Sequence, residues 1–437
     1  MKKFITTLKN IYAIKELRNR LINTFWLLVV FRLGSFIVVP GVNSAVLQAQ
    51  APKGGIFGML DVFLGGAFSK ASIFALGIMP YISASIVIQL MEVAVPYFQK
   101  LKKEGESGFK KKTQITRYLT IVITAAQAIG YISATIPGDA IMVNQAFFTF
   151  STVVILTAGT VFTMWLGEKI DDRGIGQGIS LLIMIGIISR LPEMSIQEGY
   201  SRVDGNELLI FILEMVVLFF VVMSVVMLTE ATRRIPIQYA KQVVGNRVYG
   251  GQRQYLPLKV NAAGVMPIIF AQALMFVPAL IAPYVGGGSS VSVFSDFTTW
   301  QYNLVFGLLI IIFTYFYTAI SVNPKQIADD LKRNGGFIAG VKPGSNTSEY
   351  IDKIMSKITL PGSIWLAIVA ILPAIAVKFG VQQGFAQFYG GTSLLIMVGV
   401  ILNTLQQINS YLLMRRYDGY MKSGDVKGRS QNIAVVQ

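Results

Sequence analysis

The chain has 437 residues, 53% of them hydrophobic and 14% charged, with a mean hydropathy of +0.59. Soluble domains carry about 25% charged residues, so a water-soluble fold is excluded. The sequence holds no Cys and no His, which removes disulfide and thiol chemistry and the commonest proton shuttle and metal ligand. Such a chain is poor material for an enzyme, and it implies neither a catalytic residue nor a metal or other cofactor.

Residues 1–20 are basic and lack the short apolar core and cleavage site of a signal peptide, so they read as a cytoplasmic N-terminal segment. A bilayer crossing needs about 20 mostly apolar residues. Ten such stretches follow, at 20–40, 71–95, 117–136, 147–167, 175–197, 207–229, 263–285, 303–323, 361–380 and 392–414. The expected class is an all-α polytopic membrane protein with ten transmembrane helices. Arg190 and Pro192 interrupt the fifth span. Between the first two spans lies Ile56–Lys70, IFGMLDVFLGGAFSK, apolar but too short to cross, and punctuated by Gly58, Gly65 and Gly66. Broken backbone at membrane depth must be buried in protein or line a cavity. The segment is therefore expected as a loosely built half-helix folded back on the outer side, its ends kept wettable by Asp61 and Lys70. Two readings of it stay open: a removable stopper and a plain packing element.

Two cytoplasmic loops are long. Residues 230–262 mix basic, β-branched and aromatic residues around Gly245-Asn246, the pattern of a protruding hairpin. Residues 324–360 carry a short helical stretch, then Gly335-Gly336 and Lys342-Pro343-Gly344. Connections between spans usually take about 2–8 residues, so these two loops are read as docking surfaces. The tail 415–437 closes the chain. The net charge of +16 is mostly topological: 32 of the 38 Lys and Arg fall on one side of a ten-span layout that starts inside. By the positive-inside rule both termini face the cytoplasm.

The chain repeats itself in an inverted sense. GIMPYISAS at Gly77–Ser85 echoes GVMPIIFAQ at Gly264–Gln272, so Ile82 falls opposite Ile269. GISLLI at Gly178–Ile183 echoes GTSLLI at Gly391–Ile396, so Ile183 falls opposite Ile396. Each pair is five spans apart, and an odd offset reverses orientation in the bilayer. Two inverted five-helix halves follow. The first occupies 21–200; the second comprises the sixth span in 201–229, spans seven and eight in 263–323, and spans nine and ten in 361–414.

An inverted repeat alone also suits a secondary transporter, which needs ionisable groups at mid-membrane depth. Glu214 and Arg32 are the deepest candidates, Arg32 either snorkelling or meeting a carboxylate; Glu92 and Gln89 lie nearer the cytoplasm. A scaffold that only recruits through its basic loops is a third reading. The echoed isoleucines favour a channel. Ile78 and Ile82 share one helical face, as do Ile179 and Ile183, and the repeat adds Ile269 and Ile396. Six branched aliphatic side chains converging on the pseudo-twofold axis would make a narrow neck that dewets and resists ions.

At these residues the chain resembles the SecY family, the large subunits of Sec protein-conducting channels. The resemblance covers nearly the whole length and is carried by FRLGSFIVVPG (31–41), SKASIFALGIMPYISASIVIQL (69–90), KKEGESG (102–108), MWLGEKIDDRGIGQGIS (164–180), RRIPIQYAK (233–241), LPLKVNAAGVMPIIFA (256–271), NPKQIADDLKRNGGFIAGVKPG (323–344) and FYGGTSLLI (388–396). It implies a pore ring at Ile78, Ile82, Ile179, Ile183, Ile269 and Ile396. It implies a plug within 55–70, comprising Phe57, Met59, Leu60, Asp61, Val62, Phe63, Leu64, Gly65 and Gly66. A lateral gate would lie between Ser83, Ile86 and Gln89 on one side and Phe270, Gln272 and Leu274 on the other. The loops would dock the SecA ATPase or a translating ribosome, including its rRNA, through Arg233, Arg234, Lys241, Arg247, Lys325 and Lys342. The resemblance further implies SecE and SecG subunits, SecDF and YidC as associates, signal peptides and nascent chains as cargo, and the inner membrane with its lipids as location. Lys342 stands where the family carries Arg, which keeps the charge and loses the bidentate fork. Asn246 stands where the family often has a base.

Overall fold

The computed structural model describes residues 14–43, 46–47, 58, 61–205, 207–239, 242–244, 247–249, 253–281 and 296–422. Helix α1 spans Lys15–Gly34. Residues 64–78, turn apart from a bridge at Ser72, lead to α2 at Met79–Ala94, where Pro80 sits in the first turn, the one place in a helix that needs no N–H. The expected second span thus starts later than residue 71. Gly65, Gly66, Ala71 and Gly77 all have positive φ, and repeated left-handed residues cannot continue a right-handed helix. The three glycine N–H groups close local turns, and the segment is tied to the stretch after α1 through Val39 N to Ala71 O and Ile73 N to Ile37 O, each 2.9 Å. Val95 is extended ahead of Pro96, as sterics before proline require. Helix α3, Pro96–Lys103, consequently leaves α2 at 96°.

Helices α4 (Glu106–Thr135), α5 (Gln145–Arg173), α6 (Gly178–Asp204) and α7 (Leu208–Glu230) follow. Asn144 caps α5 by accepting from Ala146 N at 3.0 Å. Asp171 accepts from Gly178 N at 2.7 Å, joining the end of α5 to the start of α6. The interruption expected at Arg190 and Pro192 does not break α6. A proline forfeits one ladder bond, and Arg190 is held by a partner described below. Helix α7 is mostly uncovered by the rest of the chain, with 11% of its apolar stretch buried.

The hairpin exists. Strand β1 (Thr232–Tyr239) pairs antiparallel with β4 (Arg253–Lys259), and β2 (Gln242–Val244) with β3 (Arg247–Tyr249), in one continuous register. After α8 (Met266–Ile281), α9 (Trp300–Ser321) and α10 (Pro324–Arg333), strand β5 (Gly336–Phe337) adds to the free edge of β1, giving the order β4-β1-β5. The two loops therefore form one body with its own core, built from Ile235, Ile237, Leu258, Leu331, Ile338, Ile351 and Met355. Helix α11 (Ser345–Lys378) has 34 residues, about 50 Å at ~1.5 Å per residue, against a hydrocarbon thickness of about 30 Å. Its N-terminal turns supply Ile351 and Met355 to the core of the sheet body, and Leu366, Ala367, Val369, Ala370 and Ala374 belong to the membrane core. A short helix α12 (Gln383–Ala386) leads to α13 (Gly391–Lys422).

All ten expected spans map onto helices: α1, α2, α4 to α9, α11 and α13. Among the described residues, seven helices are long and apolar enough to cross a bilayer by themselves, and eight if α2 with α3 is one bent span. Of the other two, α1 carries Lys15, Glu16, Arg18, Arg20 and Arg32, and α8 stops where the described residues stop. The membrane part has two cores. One gathers α1, the turns of 61–78, α4, α5 and α6 with the start of α13; the other gathers α7, α8, α9, α11 and α13.

Candidate functional site

A cavity of about 380 Å³ lies between the two halves. The first half lines it with Phe63, Leu64, Phe68 and Leu76 from the turns, with Met79, Ile82, Ser83, Ile86, Val87 and Leu90 of α2, with Gln127, Gly130 and Tyr131 of α4, and with Ile183 of α6. The second half contributes Ile269, Phe270, Gln272, Ala273 and Leu274 of α8, Tyr302 and Phe313 of α9, and Ile396 of α13. Both repeat-related pairs, Ile82 with Ile269 and Ile183 with Ile396, therefore border one space. Ile78 and Ile179 belong to the surrounding core and not to the lining. Helix α5 takes the side chain of Ile179: a Cβ built on Gly167 would stand 3.1 Å from its Cγ1.

Five of the six gate residues, Ser83, Ile86, Phe270, Gln272 and Leu274, line the same cavity. Gln89 does not; its amide donates to Ser85 Oγ of its own helix at 3.2 Å. Of the nine plug residues, Phe57, Met59 and Leu60 lie outside the described residues. Phe63 and Leu64 face the cavity, and Val62, Gly65 and Gly66 are buried beside it. Residues 61–63 are helical and 64–70 are turn, so the expected half-helix is shorter than its sequence suggested. Its two charged residues are partly exposed and both have partners in the protein. Asp61 forms an ion pair with Arg190 and accepts from Ser69 N at 2.8 Å. Lys70 lies over the Phe36 ring, 4.6 Å from its centroid.

Arg32 neither snorkels nor meets a carboxylate. It donates to Gly65 O at 2.7 Å and stands over Phe36. Glu92 is paired with Lys112. Glu214, the acid a coupled transporter would have used, accepts from Arg202 at 2.8 Å. Arg202 also contacts Glu198 at 3.1 Å, Glu207 at 2.6 Å and Gly380 O at 2.7 Å. Sequence reading assigned Arg190 and Arg202 only a side of the membrane and missed both networks. The available signal was a lone Arg inside an otherwise apolar span, which demands a partner. Among the described residues no cluster of three or more His, Cys, Asp or Glu is placed to hold a metal.

The residues expected to dock partners belong to the two long loops that build the sheet body. Arg233, Arg234, Lys325 and Lys342 are exposed. Arg247 opens β3, and Lys241 lies outside the described residues.

Comparison with known proteins gives concordant findings. The SecY family model matches residues 72–405. A protein translocase subunit SecY from Bacillus licheniformis is 44% identical over 95% of this chain and 99% of its own length. That of Escherichia coli K12 is 42% identical over 94% and 96%, and that of Mycobacterium tuberculosis 39% over 97% and 100%. The fold is that of a solved protein-conducting channel, with a TM-score of 0.65, 17% identity and coverage of 94% of this chain and 95% of the other. It is also that of canine Sec61 in a ribosome-channel complex, with a TM-score of 0.61, 16% identity and the same coverages.

Proposed function

The chain belongs to the SecY family, and from that premise we propose that it is the pore-forming subunit of a Sec translocon, passing unfolded polypeptide across the membrane and releasing transmembrane segments sideways into lipid. One observation carries the reading: stopper, isoleucines and gate-facing helices border a single apolar cavity between inverted halves. The work of transport comes from outside the chain. Aliphatic walls touch any passing side chain without asking for a hydrogen bond, and when empty they shed water and block ions. Helices α2 and α8 line the cavity from opposite halves, so parting them would open it sideways. A segment in transit then moves into lipid if it is apolar, since each Leu or Ile gains ~0.3–0.6 kcal/mol at the bilayer centre.

The absence of cysteine makes the test direct. Cys placed singly at 82, 183, 269 or 396 should crosslink an arrested nascent chain, and Cys at 179, behind the wall, should do so weakly. Labelling no stronger than that of a lipid-facing control, Phe219→Cys, rejects the pore.

The cytoplasmic body offers a basic surface to the SecA ATPase or to ribosomal RNA, with SecE and SecG clamping the membrane part and SecDF and YidC associating with it. Both termini face the cytoplasm and the membrane is the inner one. Lys241→Glu, Arg247→Glu and Lys342→Glu together should weaken SecA and ribosome binding about tenfold, more at low salt, with membrane insertion unchanged. Unaltered affinities return these loops to topology alone.

A further inference from the structure

We propose that Arg190 is the positioning residue that latches the stopper shut, with Asp61 as its catch. The proposal rests on the stopper reading above. Residues 64–70 are turn, so their seat depends on what neighbouring helices offer. Three helices hold the segment by polar contacts, α6 by two of them, since Arg190 also donates to Ser69 Oγ at 3.4 Å. Arg190 of α6 pairs with Asp61, Arg32 of α1 donates to Gly65 O at 2.7 Å, and Tyr131 of α4 donates to Phe68 O at 2.7 Å. All of them break together if the segment moves, and no helix need unwind.

The fit is tight where the latch closes. Gly65 and Gly66 have φ of +63° and +86°, and a Cβ on Gly65 would stand 2.9 Å from Gly186 Cα, so this turn rests on the backbone of α6. A Cβ on Gly66 would stand 2.6 Å from a guanidinium nitrogen of Arg190. The Asp61 carboxylate that meets Arg190 also accepts from Ser69 N and so holds the turn in shape, while the main-chain carbonyl of Asp61 accepts from Gly66 N at 2.8 Å.

A buried ion pair usually makes a poor switch, because separating it strands a charge. Here Arg190 has a second partner. Glu193 accepts from its Nη1 at 3.0 Å and is 65% exposed. When the segment leaves, Arg190 keeps Glu193 and Asp61 moves out with the segment toward water. Each charge remains compensated, so the latch can open and close again.

The test is planar-bilayer conductance of the assembled translocon, with deletion of residues 57–68 as reference. Deletion should raise the frequency of open bursts. Arg190→Gln and Asp61→Asn should each raise it about tenfold or more. The double variant should leak no more than the leakier single, since both remove one interaction. Arg190→Lys should leak less than Arg190→Gln, because the charge survives without the planar fork. If deletion leaks and the single variants stay tight, or if their effects multiply in the double, the latch is refuted and the stopper stands. If deletion itself leaves conductance unchanged, the stopper fails and takes the latch with it. Against a folding defect, Asp61→Cys with Arg190→Cys joined by a short reducible bis-thiol linker should halt translocation until reduced. Normal translocation by the joined form overturns the proposal.

Discussion

Replacing Ile82, Ile183 and Ile269 together with Ser makes the resting channel conduct ions. These residues come from three helices of both halves and border the one cavity. Each exchange removes branched aliphatic volume from a wall that would otherwise stay dry and adds a hydroxyl that binds water. At about 0.8 kcal/mol per methylene-sized group, three exchanges lower the cost of wetting by several kcal/mol, and about 1.4 kcal/mol is a factor of ten. Resting conductance in planar bilayers should rise by well over tenfold. Ile179→Ser is the matched control: that side chain packs against Gly167 of α5, so the change should cost stability and leave the seal intact. A triple variant as tight as the parent removes the isoleucines from the account.

Arg202→Gln is the substitution expected to cost most stability. Arg202 ties the outer end of α6 to Glu214 of α7 and to Gly380 O between α11 and α12. Glu198, 1% exposed, accepts from Gln382 N at 3.1 Å, so contacts to Glu214, Gly380 and Gln382 all cross from the first half to the second at this end. Removing the cation leaves Glu198 and Glu214 buried as uncompensated like charges. Breaking a buried pair in this way costs about 3–5 kcal/mol. The unfolding midpoint of the purified complex should fall by several degrees. Arg117→Gln sets the scale: its partner Glu168 is within 2.9 Å, but the pair is 44% and 26% exposed, and such surface pairs contribute about 0–1 kcal/mol. Equal midpoints for the two variants would contradict this role of Arg202 as a tie between the halves.

The ten spans were legible because hydropathy is local: residues 208–230 announce a membrane helix whatever surrounds them. The orientation expected from the charge bias uses equally local information, since lysines and arginines counted loop by loop need no partner. The inverted repeat was legible because Ile82 and Ile269, or Ile183 and Ile396, sit in matching words. Tertiary structure alone decided which of six isoleucines border the cavity, since a helix face read from spacing does not say which neighbour it meets; Ile179 found α5. It also decided that two loops separated by α8 and α9 share one sheet, because β5 is two residues long and acquires its role only from the free edge of β1. Charge shows the division most sharply. Sequence assigned Arg190 and Arg202 a side of the membrane, and folding supplied Asp61 and Glu214, because a charge in a poor dielectric is stabilised by whatever carboxylate the chain brings within hydrogen-bond reach, however far away it lies in sequence.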